Sequence, residues 1–294
     1  MRVLLTSWAT FTHGEATAGD VLAVRRVAAG LDSAGVAYDT AWSKNFAPGE
    51  LTLDDAVPAD YTHLVFVCGP CHGWQVEELH MMFADLCRIA VGVSVIDSGA
   101  PAVTGFHRVI ARDGGDRERP DLATFASLGD VPVAALIEAP GQGEYGHRRQ
   151  HDSVHAGIVD VLSRRGVAIL ATDTRLDTRN PLAPSVPEQM SAVLRRTDVV
   201  VTTRLHGLVL ALRCGVPVVA VDPVEGGAKV SAQASALGWP AVVAAGDMAG
   251  GPGRIEYWLD WCLSDAGRAA ARGAAESMTE LPDPTSELIT ELTA

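Results

Sequence analysis

The sequence predicts an α/β protein made of two doubly wound, Rossmann-like domains with a ligand cleft between them. Three observations predict it. Short β-branched runs alternate with longer amphipathic runs, the pattern of parallel strands joined by helices. A polar, turn-rich break interrupts that alternation near the middle of the chain, and the alternation then restarts. The length, 294 residues with 48% apolar side chains, suits two domains of roughly 100–200 residues, each with its own core. Ligands of such sheets sit beyond the carboxyl ends of the strands, so a cleft between the domains is the expected site.

In the first half, strands are expected at Val3–Ser7, His63–Cys68, Ile89–Val95 and Arg108–Ala111. Helices are expected at Gly19–Ala34 and Gln75–Leu86. In the former, Val21, Leu22, Val24, Ala28 and Leu31 form one apolar stripe at helical spacing. Gly114–Pro120 and Gly129–Pro132 are the breakers, which put the junction near residues 126–132. Beyond it, strands are expected at Val133–Ile137, Val167–Ala171, Val199–Thr202 and Val216–Val221. The intervening helices are Val154–Arg165, Val186–Arg195 starting near Pro187, Leu205–Cys214 closed by Gly215, and Ser231–Leu237 closed by Gly238. Ile255–Ala275 reads as one long terminal helix, and Trp258 and Trp261 on it are suited to burial within or between chains, which leaves oligomeric state open. The expected domains are 1–128 and 129–280, with a peripheral tail at 281–294.

Composition excludes several classes of partner. The formal charge is −13, from 36 acidic and 23 basic residues, which disfavours nucleic acid and anionic membrane surfaces. No apolar run reaches the 18–20 residues or so of a membrane span. Met1–Phe11 lacks the pattern of a secretory signal and reads as a first buried strand, so a cytoplasmic protein is expected. The five cysteines, at 68, 71, 87, 214 and 262, are odd in number and irregular in spacing, as free thiols in a reducing compartment are. Lysine is scarce: Lys44 and Lys229 are the two among the 23 basic residues.

The segment Arg195–Pro240 carries the most chemistry. A strand ending at Thr202 runs into a turn with Arg204 and His206, and Gly207 is expected to open the next helix. Arg204 offers a planar fork of donors suited to a carboxylate or phosphate. His206, beside a helix N-terminus, suits anion binding or proton transfer. The following strand ends in the loop Asp222–Ala228, which leads to Lys229. Arg204, His206 and Lys229 thus converge on one sheet edge as a local positive pocket in an acidic chain. Arg204 and His206 also admit a plain structural role in capping.

This segment closely resembles the signature of the polysaccharide pyruvyl transferase family. The resemblance lies in Asp198 before a hydrophobic strand, Thr203-Arg204-Leu205-His206, the helix Leu208–Arg213, Gly215-Val216-Pro217-Val218, and Lys229 before the next helix. Fainter echoes lie upstream: Gly19-Asp20 with Thr17 where the family has Asn, Arg112-Asp113 after a strand, and Pro120-Asp121-Leu122 before the crossing. The resemblance implies a glycosyltransferase-B-like fold with an acceptor-side first domain and a donor-binding second domain. It implies transfer of a pyruvyl group from phosphoenolpyruvate to the hydroxyls of a sugar or glycan-like acceptor in polysaccharide biosynthesis, with a ketal formed and phosphate released. No cofactor or metal is implied beyond phosphoenolpyruvate as donor substrate. Arg204 and His206 are then catalytic, and Arg204, His206, Lys229 and Arg112 bind the donor.

Other features weigh less. Cys68-Gly-Pro-Cys-His-Gly73 departs from the family's glycine-rich loop. Its C-x-x-C lacks the further ligands that zinc needs, and a packed loop is the leading reading, with His72 facing the acceptor as the alternative. His13, Glu15 and Asp20 follow the first strand and are candidate acceptor contacts or a base, with a solvated loop as the alternative. Gly141–Gly146 resembles a phosphate-cradling loop but lacks the lysine of a P-loop. His147, Arg148, Arg149, His151 and His155 read as a solvated helix start. Two other functions fit the same sequence: a transferase of this fold with a nucleotide-sugar donor or a small non-polysaccharide acceptor, and a non-catalytic relative that only binds a ligand.

Overall fold

Stretches of Val, Leu, Ile and Ala buried on both faces make two parallel sheets, as continuous apolar strands do when helices cover both sides. The computed structural model describes residues 1–249, 251 and 253–294. The chain divides into two units, Met1–Gly129 and Asp130–Ala294.

Unit 1 runs β1 (Arg2–Thr6), α1 (Ala18–Ser33), β2 (Ala37–Thr40), β3 (His63–Val67), α2 (Trp74–Met82), β4 (Cys87–Ser94), α3 (Pro101–Thr104) and β5 (Arg108–Asp113). All its strand pairs are parallel, in the order β2-β1-β3-β4-β5. The core lies on both faces of the sheet. Leu4, Leu64, Phe66, Leu79 and Phe83 gather in one cluster, and Val3, Leu5, Ala23, Val24 and Val67 in the other.

Unit 2 continues with β6 (Val133–Ile137), α4 (His151–Arg164), β7 (Ala168–Thr172), α5 (Pro187–Leu194), β8 (Val199–Thr202), α6 (Leu205–Arg213), β9 (Val218–Asp222), α7 (Lys229–Ala236) and β10 (Val242–Ala244). It closes with α8 (Ala245–Ala249), α9 (Gly253–Leu263), α10 (Asp265–Ser277) and α11 (Thr285–Thr293). Its sheet, also wholly parallel, has the order β10-β9-β8-β6-β7. Both units are therefore doubly wound, as expected. In both, the strand order reverses beside the first strand, between β1 and β3 in unit 1 and between β6 and β8 in unit 2. That reversal opens a crevice beyond the strand ends, where ligands of such sheets bind.

Several expectations need correction. The first strand stops at Thr6, because Ser7 caps a single turn at Trp8–Thr10 in a reciprocal capping box. The long terminal helix is two helices. Ser264 ends one by donating to the Trp261 carbonyl at 2.6 Å, and it caps the other by accepting from Gly267 N–H. A Cβ at Gly267 would overlap that same carbonyl, so the corner needs glycine. Helix α6 opens at Leu205, where the expected range Leu205–Cys214 starts it, so His206 lies inside the first turn and Gly207 does not open the helix. The strands β2 and β10 were not anticipated. Within 281–294, Thr285–Thr293 form α11, with none of its residues buried. No described helix is long and apolar enough to cross a membrane.

Candidate functional site

The carboxyl edge of the unit 2 sheet is built by four loops. β8 ends in Thr202-Thr203-Arg204, and its two buried threonines anchor the turn. Thr202 Oγ1 donates to the Ile137 carbonyl at 2.8 Å and accepts from Arg204 N–H at 2.9 Å. Thr203 Oγ1 accepts from Ala139 N–H at 2.8 Å and lies 3.1 Å from His155 Nε2. Helix α6 then packs directly on the strand end. A Cβ at Gly207 would overlap the Thr202 hydroxyl, which explains glycine inside the first turn. Arg204 is the N-cap residue of α6 and makes no side-chain cap, so its guanidinium is free to reach elsewhere.

It reaches Asp173, the first residue after β7. Arg204 Nη2 donates to Asp173 Oδ2 at 3.1 Å, and Nε lies 3.1 Å from Oδ1 without hydrogen-bond alignment. The arginine side chain is 22% exposed, and Asp173 37%. His206 is exposed beside it in the first turn of α6.

The loop after β9 is held by one carboxylate. Asp222 is fully buried and accepts from Val224, Ala228 and Ser231 N–H at 3.2, 2.7 and 2.9 Å. It thereby fixes the start of α7, at whose first position Lys229 stands, half-buried. Helices α6 and α7 pack against each other. The loop after β6 is stitched to the same region by main chain. Gln150 N–H donates to the Pro223 carbonyl, Glu225 N–H donates to the Arg148 carbonyl, both at 2.8 Å, and Arg149 and Val224 form an antiparallel bridge. The Arg149 guanidinium lies against Gly141, and that of Arg148 sits over the Tyr145 ring at 5.8 Å.

Arg148, Arg149, Arg204 and Lys229 thus stand on the loops after β6, β8 and β9, and Arg175 and Arg179 on the loop after β7. Cations gathered at a crevice raise the local concentration of small anions even when the whole chain is acidic. Behind them, His151 is 1% exposed with both ring nitrogens unpartnered. Burial, together with the nearby His155 and Arg149, pushes its pKa below the ordinary histidine value.

Arg204, His206 and Lys229 therefore share one edge of one sheet. Arg112 belongs to unit 1. There Nε donates to Asp113 at 2.8 Å, Nη1 to Asp121 at 2.6 Å and Nη2 to Ser94 at 2.7 Å. That arrangement gives Arg112 a structural role in tying β5 to β4 and to the segment at Asp121. Asp20 completes a capping box with Thr17 at the start of α1, its Oδ2 accepting from the Thr17 hydroxyl at 2.7 Å. His72 is exposed in the Cys68–Gly73 loop, which packs under Trp8. Trp8 Nε1 donates to the Pro70 carbonyl, and a Cβ at Gly69 would overlap the indole. Burial pushes the thiols of Cys68 and Cys71 up to about 11 and about 12, so both stay protonated at neutral pH. Among the described residues, no three His, Cys, Asp or Glu side chains converge in a metal-binding geometry.

His13 lines a cavity of about 310 Å³ inside unit 1, together with Trp42, Lys44, Asp54, Trp74 and Glu78. The buried threonines of its lining are already engaged. Thr10 Oγ1 donates to the Ala41 carbonyl at 2.8 Å, and Thr52 Oγ1 to Asp55 at 2.5 Å. The charged rim groups, by contrast, have no ion-pair partner among the described residues, and Trp74 is 62% exposed. As a site residue, sequence reasoning named His13 alone of this set, because the others are scattered over a loop and the start of α2 without a motif. Asp173 was also missed, being a lone acid after a strand.

Residues 136–223 match the family model described as polysaccharide pyruvyl transferase. The match runs from β6 to just past β9 and contains Asp173, Arg204, His206 and Asp222; Lys229 lies beyond it. It agrees with the resemblance carried by Asp198–Val218. No curated protein sequence matches the chain significantly. Among solved structures, the spinosyn rhamnosyltransferase SpnG with spinosyn aglycone is 14% identical with a TM-score of 0.38, covering 100% of both chains. The calicheamicin glycosyltransferase CalG4 is 14% identical at 0.37, covering 99% of this chain and 97% of its own. The UDP-GlcNAc 2-epimerase from Methanocaldococcus jannaschii is 10% identical at 0.32, covering 90% of this chain and 93% of its own. Likenesses this distant say nothing about chemistry.

Proposed function

We propose that the chain is a pyruvyl transferase that moves the three-carbon group of phosphoenolpyruvate onto two hydroxyls of a sugar-like acceptor. The observation that carries the proposal is the Arg204-Leu205-His206 turn at the strand-order reversal of unit 2, inside the segment that matches the family model. Phosphoenolpyruvate carries a carboxylate and a phosphate close together. A forked guanidinium, a lysine and the N-terminal amides of α6 suit such a dianionic donor.

In the proposed reaction His206, exposed and next to Arg204, protonates the methylene carbon of the donor. The cation that develops on the neighbouring carbon is attacked by one acceptor hydroxyl. A second hydroxyl then displaces phosphate from that carbon and closes the ketal. Of the two protons lost by the hydroxyls, one replaces that given by His206 and one leaves with phosphate. Lys229 balances the charge of the departing phosphate. Neither a metal nor a redox group enters this scheme.

The acceptor is assigned to the unit 1 cavity. Exposed tryptophan faces stack on the apolar side of a sugar ring, while Asp54 and Glu78 accept from its hydroxyls and Lys44 and His13 donate to its oxygens. Incubating the protein with phosphoenolpyruvate and a panel of diol-bearing sugars tests the proposal, with free phosphate and product mass as readouts. Acceptor-dependent phosphate release, lost in R204A, is expected. Stabilisation by a nucleoside diphosphate without any response to phosphoenolpyruvate overturns it.

A further inference from the structure

Arg204 is held by only one edge of its guanidinium. Asp173 takes the Nε–Nη2 side, while Nη1 has no partner among the described residues. The grip spans the sheet edge, since Arg204 follows β8 and Asp173 follows β7, with β6 between them. Asp173 is itself fixed. Its Oδ1 accepts from Arg175 N–H at 3.0 Å in a side-chain turn that closes the start of the loop. One carboxylate therefore bonds to main chain with one oxygen and to Arg204 with the other.

From this geometry we infer that Asp173 is the positioning residue for Arg204, setting the guanidinium plane so that its Nη1 side faces an incoming anion. The inference rests on the anion-binding role of Arg204 proposed above. A displaceable stand-in for the ligand is the competing arrangement, and the bond to Arg175 N–H argues against it. To swing away, the carboxylate would break that turn as well as the ion pair. An arginine pre-set by a fixed carboxylate loses less side-chain freedom when a ligand arrives.

Calorimetric titration of phosphoenolpyruvate into wild type, D173A, D173N, R204A and D173A/R204A tests it. D173A should weaken binding by roughly tenfold with the melting temperature nearly unchanged, and add nothing further in the R204A background, as contacting residues do. D173N should fall between wild type and D173A, because its single amide oxygen can accept from Nη2 or from Arg175 N–H but not from both. D173A or D173N binding the ligand more tightly than wild type overturns the inference, since the carboxylate would then be a competitor. Losses that add independently in the double variant also overturn it.

Failure of the Arg204 reading has a different signature: wild type and R204A bind phosphoenolpyruvate alike. The positioning claim is then read directly from the Arg204 Nε–H resonance, assigned by its disappearance in R204A. A resolved, slowly exchanging signal in wild type that collapses into the averaged arginine envelope in D173A supports positioning. A signal unchanged by D173A refutes it.

Discussion

The two units share a strand order and differ in what they place at its reversal. In unit 1 the loops beyond β1 and β2 and the start of α2 line a cavity with tryptophans and with acids and bases in near balance. In unit 2 the loops beyond β6, β8 and β9 carry Arg148, Arg149, Arg204 and Lys229. Topology alone therefore fixes where a ligand sits and leaves its chemistry to side chains on loops. A neutral, hydroxylated body suits the first edge, and a compact anion suits the second.

The strongest way to break this contrast is to remove the cations. R204A should lower phosphate release from phosphoenolpyruvate by 1,000-fold or more, about 4 kcal/mol of transition-state stabilisation, with a wild-type melting temperature. H206A should cost roughly 100- to 10,000-fold, and mainly in kcat, if the imidazole transfers the proton. Activity near wild type in either variant would remove the reason for assigning the donor to unit 2.

The helix starts of the two units sharpen the contrast in stability. Gly207 has no room for a Cβ beside Thr202, whereas Gly19 meets only Thr17 Oγ1, at 3.7 Å. Gly207→Ala should destabilise the chain by about 1–3 kcal/mol, while Gly19→Ala should be neutral or stabilise by up to about 1 kcal/mol. Denaturant midpoints of the two variants read this difference.

In unit 1, W74A should raise the acceptor KM by roughly tenfold and leave the phosphoenolpyruvate KM unchanged, about 1.4 kcal/mol of stacking lost. An equal rise in both would show that the cavity does not discriminate acceptor from donor.

The smallest effect concerns pH. Burial lowers the pKa of His151 in unit 2 and of His80 in unit 1 below the usual 6.5. The unfolded chain thus takes up protons first, so stability is fully present above the unfolded value of about 6.5 and falls as pH drops below it. His80 Nε2 keeps a partner in the Ala102 carbonyl at 3.1 Å, whereas His151 has none. His151→Phe should therefore remove about 1 kcal/mol of the acid-induced loss, read as melting temperatures at about pH 7.5 and about pH 5.5. An unaltered pH dependence would mean that His151 takes up its proton at the same pH in the folded and the unfolded chain.

Much of this is legible in the sequence. Strands buried on both faces announce themselves as unbroken apolar runs, which is why Val133–Ile137 and Val199–Thr202 were read to the residue. The turn Thr203–His206 was legible as a cluster of functional types after such a strand. β2, of sequence Ala-Tyr-Asp-Thr, carries no alternation, and its residues are exposed or half-buried. The Ser264 break hides because a serine inside an amphipathic run looks like any helical surface residue. Asp173 and the unit 1 cavity were invisible for a different reason. Their partners lie 31 residues away in one case and on several separate loops in the other, so only folding brings them together. Arg112 was legible only as a familiar dipeptide; its partners Asp113 and Asp121, which hold its guanidinium, carry no pattern that announces the contact.

The walls beside β8 are joined by main-chain hydrogen bonds, from Gln150 to Pro223 and from Glu225 to Arg148. Proline at Glu225 apart, a side-chain replacement at Arg148, Arg149 or Glu225 leaves the donors and acceptors of those bonds in place. The rim can therefore change its chemical lettering while keeping its outline. Selection, or an engineer, has there a frame on which ligand preference can be rewritten one residue at a time without refolding the loop.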